Sequence, residues 1–322
     1  MKRNLFLLAG LIALFLLPIG QGNYFILILC SWLMFTIAAM GLNLTLGYAG
    51  QISLAQASFI GIGAYVTAIM TLAGIHWILA ALASVIVCFV IGILIGFPAL
   101  RVKGHFLAFV TLAFNQLVVL VARNEDWLTG GSYGKFNMPR PDFGFYHIRT
   151  NLDMYYMIVV IFVIFAVLMY GLIRSPWGRA FKALRENPIR AESLGVDTRR
   201  ITLLAFAVGS ASAGLAGAIM SPLVQFIEPN SFALLHSLKI LLMVIVGGAG
   251  YFFGPMLGAA VVILLPEFLR FTEGYYLIIY SALVIILMVF SPAGLMGIGE
   301  KILTKIRPNQ QVRKDMEKGA QL

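Results

Sequence analysis

Residues 24–58 read YFILILCSWLMFTIAAMGLNLTLGYAGQISLAQAS. The part from 24 to 46 is mostly apolar and reaches the roughly 20 residues that a helix needs to cross the hydrocarbon core of a bilayer. Glycines at 41, 47 and 50 and several small polar side chains follow near its end. Because clustered glycine weakens a helix, the stretch predicts a transmembrane helix that is interrupted at these glycines.

Apolar stretches of similar length recur along the chain, at 52–73, 77–97, 105–122, 154–173, 201–220 and 275–291. Hydrophobic residues make up 61% of the chain and charged residues only 11%, whereas a soluble domain carries roughly a quarter charged residues. Too few polar side chains remain to cover a water-facing surface. The sequence therefore predicts an all-α fold, a polytopic bundle of transmembrane helices.

The shorter apolar stretch 5–20 follows Lys2 and Arg3. A basic start and a short apolar run are features of a signal peptide as well as of a first helix. No convincing small-residue cleavage site follows the stretch. We therefore expect an uncleaved first helix, with a signal peptide as the alternative.

Glycine and proline interrupt the long apolar region 237–266, at Gly247, Gly248, Gly250 and Gly254-Pro255. Both residue types break or kink a helix. Broken backbone is tolerated at membrane depth only where protein or a water-filled cavity satisfies its polar groups. The region is predicted to form two short crossing helices or a re-entrant pair.

Basic residues indicate the orientation of the chain, since lysine and arginine concentrate on the cytoplasmic side of membrane proteins. Most of the 23 lysines and arginines fall in the segments 2–3, 101–103, 174–200 and 301–322. An even number of crossings puts all four on one side, so we expect about ten spans, or eight plus a re-entrant pair, with cytoplasmic N and C termini. Residues 1–300 then form the transmembrane domain and 301–322 a basic cytoplasmic tail. The net charge of +10 reflects this topology rather than nucleic-acid binding.

The predicted external loop, 123–153, alternates glycines and prolines with aromatic side chains. Such a loop either lies at the lipid headgroups or meets an external protein. Its run from Gly130 to Phe136 resembles a phosphate-binding loop only superficially, because Thr129 replaces the first glycine and Phe136 replaces the final Ser or Thr. Any ATP drive must therefore come from another subunit, and we expect no cofactor on this chain. The two cysteines form no CxxC or Cys/His cluster, so we expect no metal site.

The predicted inner loop, 174–200, contains two helix-start signals. Ser175-Pro176 and Asn187-Pro188 each pair a capping residue with proline at the first helical position. Apolar residues at helical spacing follow among basic ones, and Gly195 is a suitable residue to end the second helix. We expect two amphipathic helices that either lie on the membrane surface or insert into a groove of a cytoplasmic partner.

Polar side chains within the predicted spans are candidates for contact with a transported substrate, because such residues are costly in a membrane and tend to face a pathway. The candidates are Asn43, Gln51, Ser53, Gln56 and Asn115. A broken helix beside them would free N–H and C=O groups for the carboxylate and ammonium of a zwitterion. Hydrogen bonding between helices is the alternative for each of them. No chain of Asp, Glu or His runs through the spans, which disfavours a proton-coupled transporter and a membrane enzyme.

Four blocks of sequence carry a family resemblance: GLNLTLGYAGQISL at 41–54 with FIGIGAY at 59–65, SPWGRA at 175–180, AESLGV at 191–196, and GGAG at 247–250 with GP at 254–255 and LGA at 257–259. Together they resemble the LivM/LivH-type permeases, the membrane subunits of branched-chain amino acid ABC importers. The similarity extends over residues 25–300, and the length and the long outer loop are more like LivM than LivH.

This resemblance implies a multi-pass subunit in the cell inner membrane that translocates branched-chain amino acids and is not itself an enzyme. The implied partners are a sister permease similar to LivH, two cytoplasmic ATPase subunits that bind ATP, and an external substrate-binding protein. Related permeases serve urea, short amides or aromatic acids, and these substrates remain alternatives. A self-sufficient channel or secondary transporter is the alternative from another class.

The resemblance also implies that the segment 174–200 couples the ATPase to the spans. The residues that it implies for this role are Asn187, Pro188, Ile189, Glu192, Leu194 and Gly195. In the general pattern of ABC importers, a glycine follows the glutamate at a greater distance than Gly195 follows Glu192. Individual contacts of other importers are therefore not transferred to this chain.

Overall fold

The computed structural model describes residues 10, 12–99, 106–144 and 147–270 and, near the C-terminus, residues 275, 278–279, 281–282, 284–285, 289 and 294–298. The helices are α1 (Asn23–Asn43), α2 (Gln56–Leu72), α3 (Trp77–Ala99), α4 (Phe106–Asn124), α5 (Asp126–Thr129), α6 (Asn151–Arg174), α7 (Pro176–Glu186), α8 (Pro188–Ser193), α9 (Thr198–Val224), α10 (Leu234–Gly247) and α11 (Gly254–Phe268). Residues 12–16 and 294–298 are also helical.

Within these ranges, six helical stretches are long and apolar enough to cross a membrane: Asn23–Tyr48, Trp77–Pro98, Leu107–Asn124, Asn151–Arg174, Thr198–Val224 and Pro229–Gly247. The apolar helices α2 and α11 are shorter. Parts of the predicted segments 5–20 and 275–291, the basic pair Arg101 and Lys103, and the tail 301–322 lie outside the described residues. The prediction of a polytopic helical membrane protein is confirmed.

Helix α9 is central to the bundle and packs against α1, α2 and α3. Small residues allow this close approach, since without a side chain two backbones can touch. A Cβ on Gly217 would lie 2.7 Å from the backbone nitrogen of Ala64 in α2. A Cβ on Gly209 would lie 2.9 Å from the carbonyl oxygen of Gly41 in α1. These glycines therefore set the distances between the helices that hold the bundle together.

The loop 123–153 and the segment 174–200 lie at opposite ends of the bundle. Helix α6 joins them, and its 24 residues correspond to a length of about 36 Å. We call the two ends the aromatic end (loop 123–153) and the basic end (segment 174–200). Helix α1 begins at the aromatic end, where Tyr24 Oη donates a hydrogen bond of 3.1 Å to Glu267 in the last turns of α11. The π-helical turn that follows α1, Leu44–Tyr48, contacts α7 at the basic end.

The predicted interruption at the end of α1 is confirmed. The helix continues into a π-helical turn, Leu44–Tyr48, and the chain leaves helical geometry at Gly50, whose φ of +71° is one that other residues rarely adopt. Residues 50–55 are not helical, so the helix predicted to start at residue 52 begins only at Gln56. The helix begins later than predicted because the backbone of residues 50–55 bonds to a different helix, α4.

The glycine-rich region 237–266 is broken, as its composition predicts. Helices α10 and α11 pack against each other, and residues 248–253 separate them, with φ of +113° at Gly248 and +91° at Gly250. Helix α10 is preceded by a 3-10 turn, Pro229–Phe232. Both ends of α10 are therefore joined to irregular backbone.

The aromatic end contains a small departure from the all-helical prediction. Two short strands, β1 (Lys135–Phe136) and β2 (Phe226–Ile227), pair in antiparallel fashion, and the rings of Phe136 and Phe226 stack with centroids 5.1 Å apart. Nearby, Asp142 accepts a hydrogen bond of 2.8 Å from the Gly144 N–H. This bond and the adjacent His147 lower the pKa of the Asp142 carboxyl. The loop 123–153 is thus folded onto the end of α9 rather than extended into solvent.

Candidate substrate passage and coupling surface

The turn Pro229–Phe232 enters the bundle from the aromatic end. The carbonyl of Phe232 accepts a hydrogen bond of 3.2 Å from Asn115 Nδ2. Asn115 precedes the end of α4 at Asn124 by nine residues, which is about 14 Å along the helix. The Phe232 ring lies against Gly61 of α2, where a Cβ would be 2.8 Å from a ring atom. The chain therefore reaches the interior as irregular backbone before α10 begins.

The non-helical residues 50–55 approach the same part of α4 from the basic end. The Leu54 N–H donates a hydrogen bond of 2.9 Å to Thr111 Oγ1. One helical turn further along α4, Asn115 Nδ2 donates a hydrogen bond of 2.5 Å to Ser58 Oγ in the first turn of α2. We call this meeting point of the two irregular segments with α4 the junction. Discontinuous helices that meet within a membrane are sites where transporters bind substrates, so the junction is the candidate substrate passage.

Three buried polar atoms around the junction have no hydrogen-bond partner among the described residues: Gln51 Oε1, Asn115 Oδ1 and Tyr65 Oη. Tyr65 lies two helical turns beyond Ser58 on the same face of α2, and its ring packs edge-on against Phe232 with centroids 6.0 Å apart. An unbonded polar group in an apolar interior is costly, so each atom can bond to a polar ligand that enters the junction.

Sequence reasoning missed Tyr65. An aromatic residue within an apolar helix has the same sequence pattern as a residue of the hydrophobic core, and its hydroxyl gives no periodic signal. Its contact with Phe232, which is distant in the chain, identifies Tyr65 as a residue of the junction.

The predicted candidates Ser53 and Gln56 bond to backbone groups. Gln56 Nε2 donates to the carbonyl of Ala38 at 2.8 Å and to that of Gly209 at 3.3 Å. Ser53 Oγ accepts a hydrogen bond of 3.4 Å from the Ala55 N–H. Both side chains are buried. Gln56 holds the start of α2 against α1 and α9, and Ser53 bonds within the segment that leads into α2, so both shape the wall of the junction.

Asn43, another predicted candidate, lies at the basic end of α1 and bonds to the break between α10 and α11. Its Oδ1 accepts a hydrogen bond of 2.8 Å from the Gly250 N–H. Its Nδ2 donates one of 2.9 Å to the Tyr251 carbonyl. The side chain is buried, and it fixes the irregular segment 248–253 in place.

Replacement of Asn43 by leucine should destabilise the protein, because two partly buried backbone groups of the break lose their partner. Each such group costs about 1–3 kcal/mol, so the midpoint of thermal unfolding in detergent should fall clearly. Asn124→Leu is the matched control, since Asn124 is exposed and its Nδ2 donates within its own helix turn, to the Leu120 carbonyl. If Asn43→Leu unfolded at the same midpoint as the wild type, the two hydrogen bonds of Asn43 would not stabilise the break.

The basic end carries the helix pair α7–α8. Phe181 and Leu184 of α7 are buried against the bundle. Asn187 separates the two helices, and its Oδ1 caps α8 by accepting a hydrogen bond of 3.0 Å from the Arg190 N–H. Pro188 occupies the first position of α8. The predicted pair of helices and the cap of the second one are confirmed.

Helix α8 presents apolar side chains to the outside. Ile189 is 80% exposed and Leu194 is 82% exposed, and Glu192 between them is also exposed. The helix ends before Gly195, whose φ of +83° is typical of a residue that terminates a helix. Two large exposed apolar side chains on a rigid, capped helix form a surface suited to a partner. We call Ile189, Glu192 and Leu194 the coupling surface.

A bundle of long apolar helices, two of them interrupted, with a capped helix pair exposed at one end, defines the class: this chain is a multi-pass membrane protein. Comparison with known families identifies it further. The sequence model described as branched-chain amino acid transport system / permease component matches residues 24–292. The chain belongs to this family, which is a component of transport systems and not a family of enzymes.

Individual relatives agree with the family assignment. The high-affinity branched-chain amino acid transport system permease protein LivM of Escherichia coli K12 is 30% identical, over 99% of this chain and 79% of LivM. LivM of Salmonella typhimurium LT2 gives the same values. The probable branched-chain amino acid transport permease protein LivH of Methanocaldococcus jannaschii is 26% identical, over 84% of this chain and 90% of LivH. No solved structure matches the chain significantly.

Proposed function

We propose that this chain is one of two permease subunits of an ATP-driven importer of branched-chain amino acids in the cell inner membrane. The observation that carries the proposal is the similarity to LivM proteins over 99% of the chain. The chain itself binds no nucleotide in this proposal. ATP is bound and hydrolysed by two cytoplasmic subunits, a sister permease similar to LivH completes the membrane part, and an external binding protein delivers the amino acid.

The membrane topology that we propose has ten crossings and cytoplasmic termini, with residues 1–300 as the permease domain and 301–322 as the tail. The contacts of Tyr24 with Glu267 and of Asn43 with Gly250 support two crossings by α10 and α11, because they join both ends of α1 to the two ends of α11, against which α10 packs. A side chain at Gly294 would overlap Gly248, so residue 294 lies at the basic end. With crossings by 5–20 and 275–291, the basic end is the cytoplasmic one.

The substrate passes through the junction in this proposal. Gln51 and Asn115 supply acceptor oxygens, without a partner among the described residues, for the ammonium group of the amino acid. Ser53 and Gln56 position the first turn of α2, whose N–H groups and positive dipole end favour a carboxylate. Asn43 holds the neighbouring break. The apolar surroundings suit a branched aliphatic side chain, and they also leave urea, short amides or aromatic acids as alternative substrates.

The exposed ends of the bundle fit the proposed partners. The coupling surface would dock into a groove of the ATPase as a short amphipathic helix, with Asn187, Pro188 and Gly195 fixing the ends of that helix. At the aromatic end, Trp127 is 79% exposed and Tyr133 is 84% exposed. Exposed aromatic rings are enriched at protein interfaces, and this end would receive the binding protein.

Reconstitution into proteoliposomes tests the function. The chain, purified with its sister permease and ATPase, should import leucine, isoleucine or valine only when ATP and the binding protein are present. Uptake by the chain alone without ATP would instead indicate a channel or secondary transporter. ATP-driven uptake of urea or aromatic acids without uptake of branched-chain amino acids would reassign the substrate.

Substitution of Gly195 by valine should uncouple ATP hydrolysis from uptake. A Cβ at this position meets no atom of the described residues within 4 Å, so the change introduces backbone strain of about 1–3 kcal/mol and little else. Relief of this strain would tilt α8 relative to α9. Uptake per ATP hydrolysed is the quantity to measure, and Gly195→Asn is the control because asparagine tolerates positive φ. Equal ratios in both variants and the wild type would contradict a coupling role for this position.

A further inference from the structure

Arg185 lies in the last turn of α7, two residues before the cap of α8, and its side chain reaches the broken end of α1. Its Nη1 donates a hydrogen bond to the carbonyl oxygen of Gly47, which belongs to the π-helical turn Leu44–Tyr48. Carbonyl groups in the last turn of a helix lack partners within the helix and carry partial negative charge. Arg185 therefore caps α1 with a positive charge supplied by another helix.

Two glycines make room for this side chain. A Cβ on Gly50 would lie 3.3 Å from Arg185 Cγ, and a Cβ on Gly250 would overlap the Arg185 guanidinium. Both glycines have positive φ, at +71° and +91°. Arg185 thus lies in a notch whose walls are the two irregular segments of the basic end, the one after α1 and the one between α10 and α11.

The notch is connected to the broken segments through hydrogen bonds and to the coupling surface through the backbone. Asn43 Oδ1 accepts the hydrogen bond from the Gly250 N–H, so the two walls are bonded to each other. One helical turn before Arg185, Lys182 Nζ lies 5.9 Å from the centroid of the Tyr48 ring. In the chain direction, Asn187 follows two residues after Arg185, and the coupling surface follows Asn187. A displacement of α8 is therefore transmitted to Arg185 across two residues of backbone. The Arg185 side chain then transmits it to both broken segments.

We infer that Arg185 is a positioning residue that transmits movement of the α7–α8 pair to the two broken segments. Transmission needs an element with two discrete arrangements. The π-helical turn provides one, because its backbone bonds can change from the i→i+5 to the i→i+4 pattern, and such turns are frequent at functional sites. The inference rests on the proposed function, since it names the link between ATP hydrolysis and the passage.

The test compares Arg185→Met with the wild type in the reconstituted importer. Methionine keeps the apolar stem but cannot donate to the Gly47 carbonyl. Uptake per ATP hydrolysed should fall roughly tenfold, while co-purification of the ATPase and the rate of ATP hydrolysis stay near wild type. Arg185→Lys, which keeps the charge and a donor, should restore part of the ratio. Arg179→Met is the matched control, an exposed arginine of the same helix, and should leave the ratio unchanged.

The outcomes of this test distinguish failure of the proposed function from failure of the inference about Arg185. If the wild type shows no ATP-driven uptake, the proposed function is overturned and the inference with it. If the wild type is active and Arg185→Met has an unchanged ratio of uptake to hydrolysis, only the inference is overturned. Loss of ATPase binding or of folded protein in Arg185→Met, with no recovery in Arg185→Lys, would also overturn it, because the residue would then be structural.

Discussion

Valine in place of Gly63 should abolish accumulation of the folded protein. Gly63 of α2 faces Gly214 of α9, and a Cβ on Gly63 would lie 2.7 Å from the Gly214 Cα. The obstacle is backbone, so no rotation of a side chain relieves the overlap, and the helices must separate. Since α9 is the helix around which α1, α2 and α3 pack, we expect a loss of about 3 kcal/mol or more.

The matched control is Gly171→Val in α6. Gly171 is helical like Gly63, but within the described part of the chain a Cβ there would meet no atom closer than 4 Å. The same substitution therefore changes hydrophobicity and helix propensity equally at both positions. The variant at Gly63 additionally tests the contact between α2 and α9. The amount of monodisperse protein after detergent extraction is the measurement. Equal recovery of the two variants would contradict the close packing of α2 and α9.

Glutamate at both Ile189 and Leu194 should remove the ATPase from the purified complex. Each apolar side chain is at least 80% exposed in the isolated chain, so the change should not disturb the fold. In the complex, however, two carboxylates would have to enter an apolar groove, and burial of an unpaired charge costs several kcal/mol. We expect the amount of co-purified ATPase to fall at least roughly a hundredfold, which corresponds to about 2.7 kcal/mol.

Two controls separate recruitment from general damage. Ile189→Val with Leu194→Met keeps the surface apolar and should retain the ATPase. Trp127→Glu puts the same charge on an aromatic side chain that is 79% exposed at the opposite end, and it should also retain the ATPase. Co-purification of the ATPase at wild-type levels with the double glutamate variant would refute the coupling surface.

Local signals in the sequence predicted much of this architecture. Caps and prolines at 175–176 and 187–188 predicted α7 and α8, and Gly195 predicted the end of α8. Glycine clusters predicted both breaks near 47–50 and 247–255. These features depend on backbone preferences of a few consecutive residues, which a single sequence contains.

Features that depend on contacts between distant segments could not be predicted in this way. The turn Pro229–Phe232 has the composition of an ordinary surface loop, and its bond to Asn115 and the contacts of the Phe232 ring with Gly61 and Tyr65 reveal that it enters the bundle. Arg185 looks like one of several basic residues on an amphipathic helix until Gly47 and Gly250 are found beside it. Asn43 and Asn115 were both predicted as candidates, yet Asn43 has both amide atoms bonded, whereas the Asn115 oxygen has no partner among the described residues.

The most direct test of the importer proposal is affinity purification of the tagged chain from its native membranes, followed by identification of the proteins that accompany it. The proposal predicts a second permease and cytoplasmic ATPase subunits in fixed proportion to the chain. Recovery of the chain alone, or as an oligomer of itself without an ATPase, would contradict it.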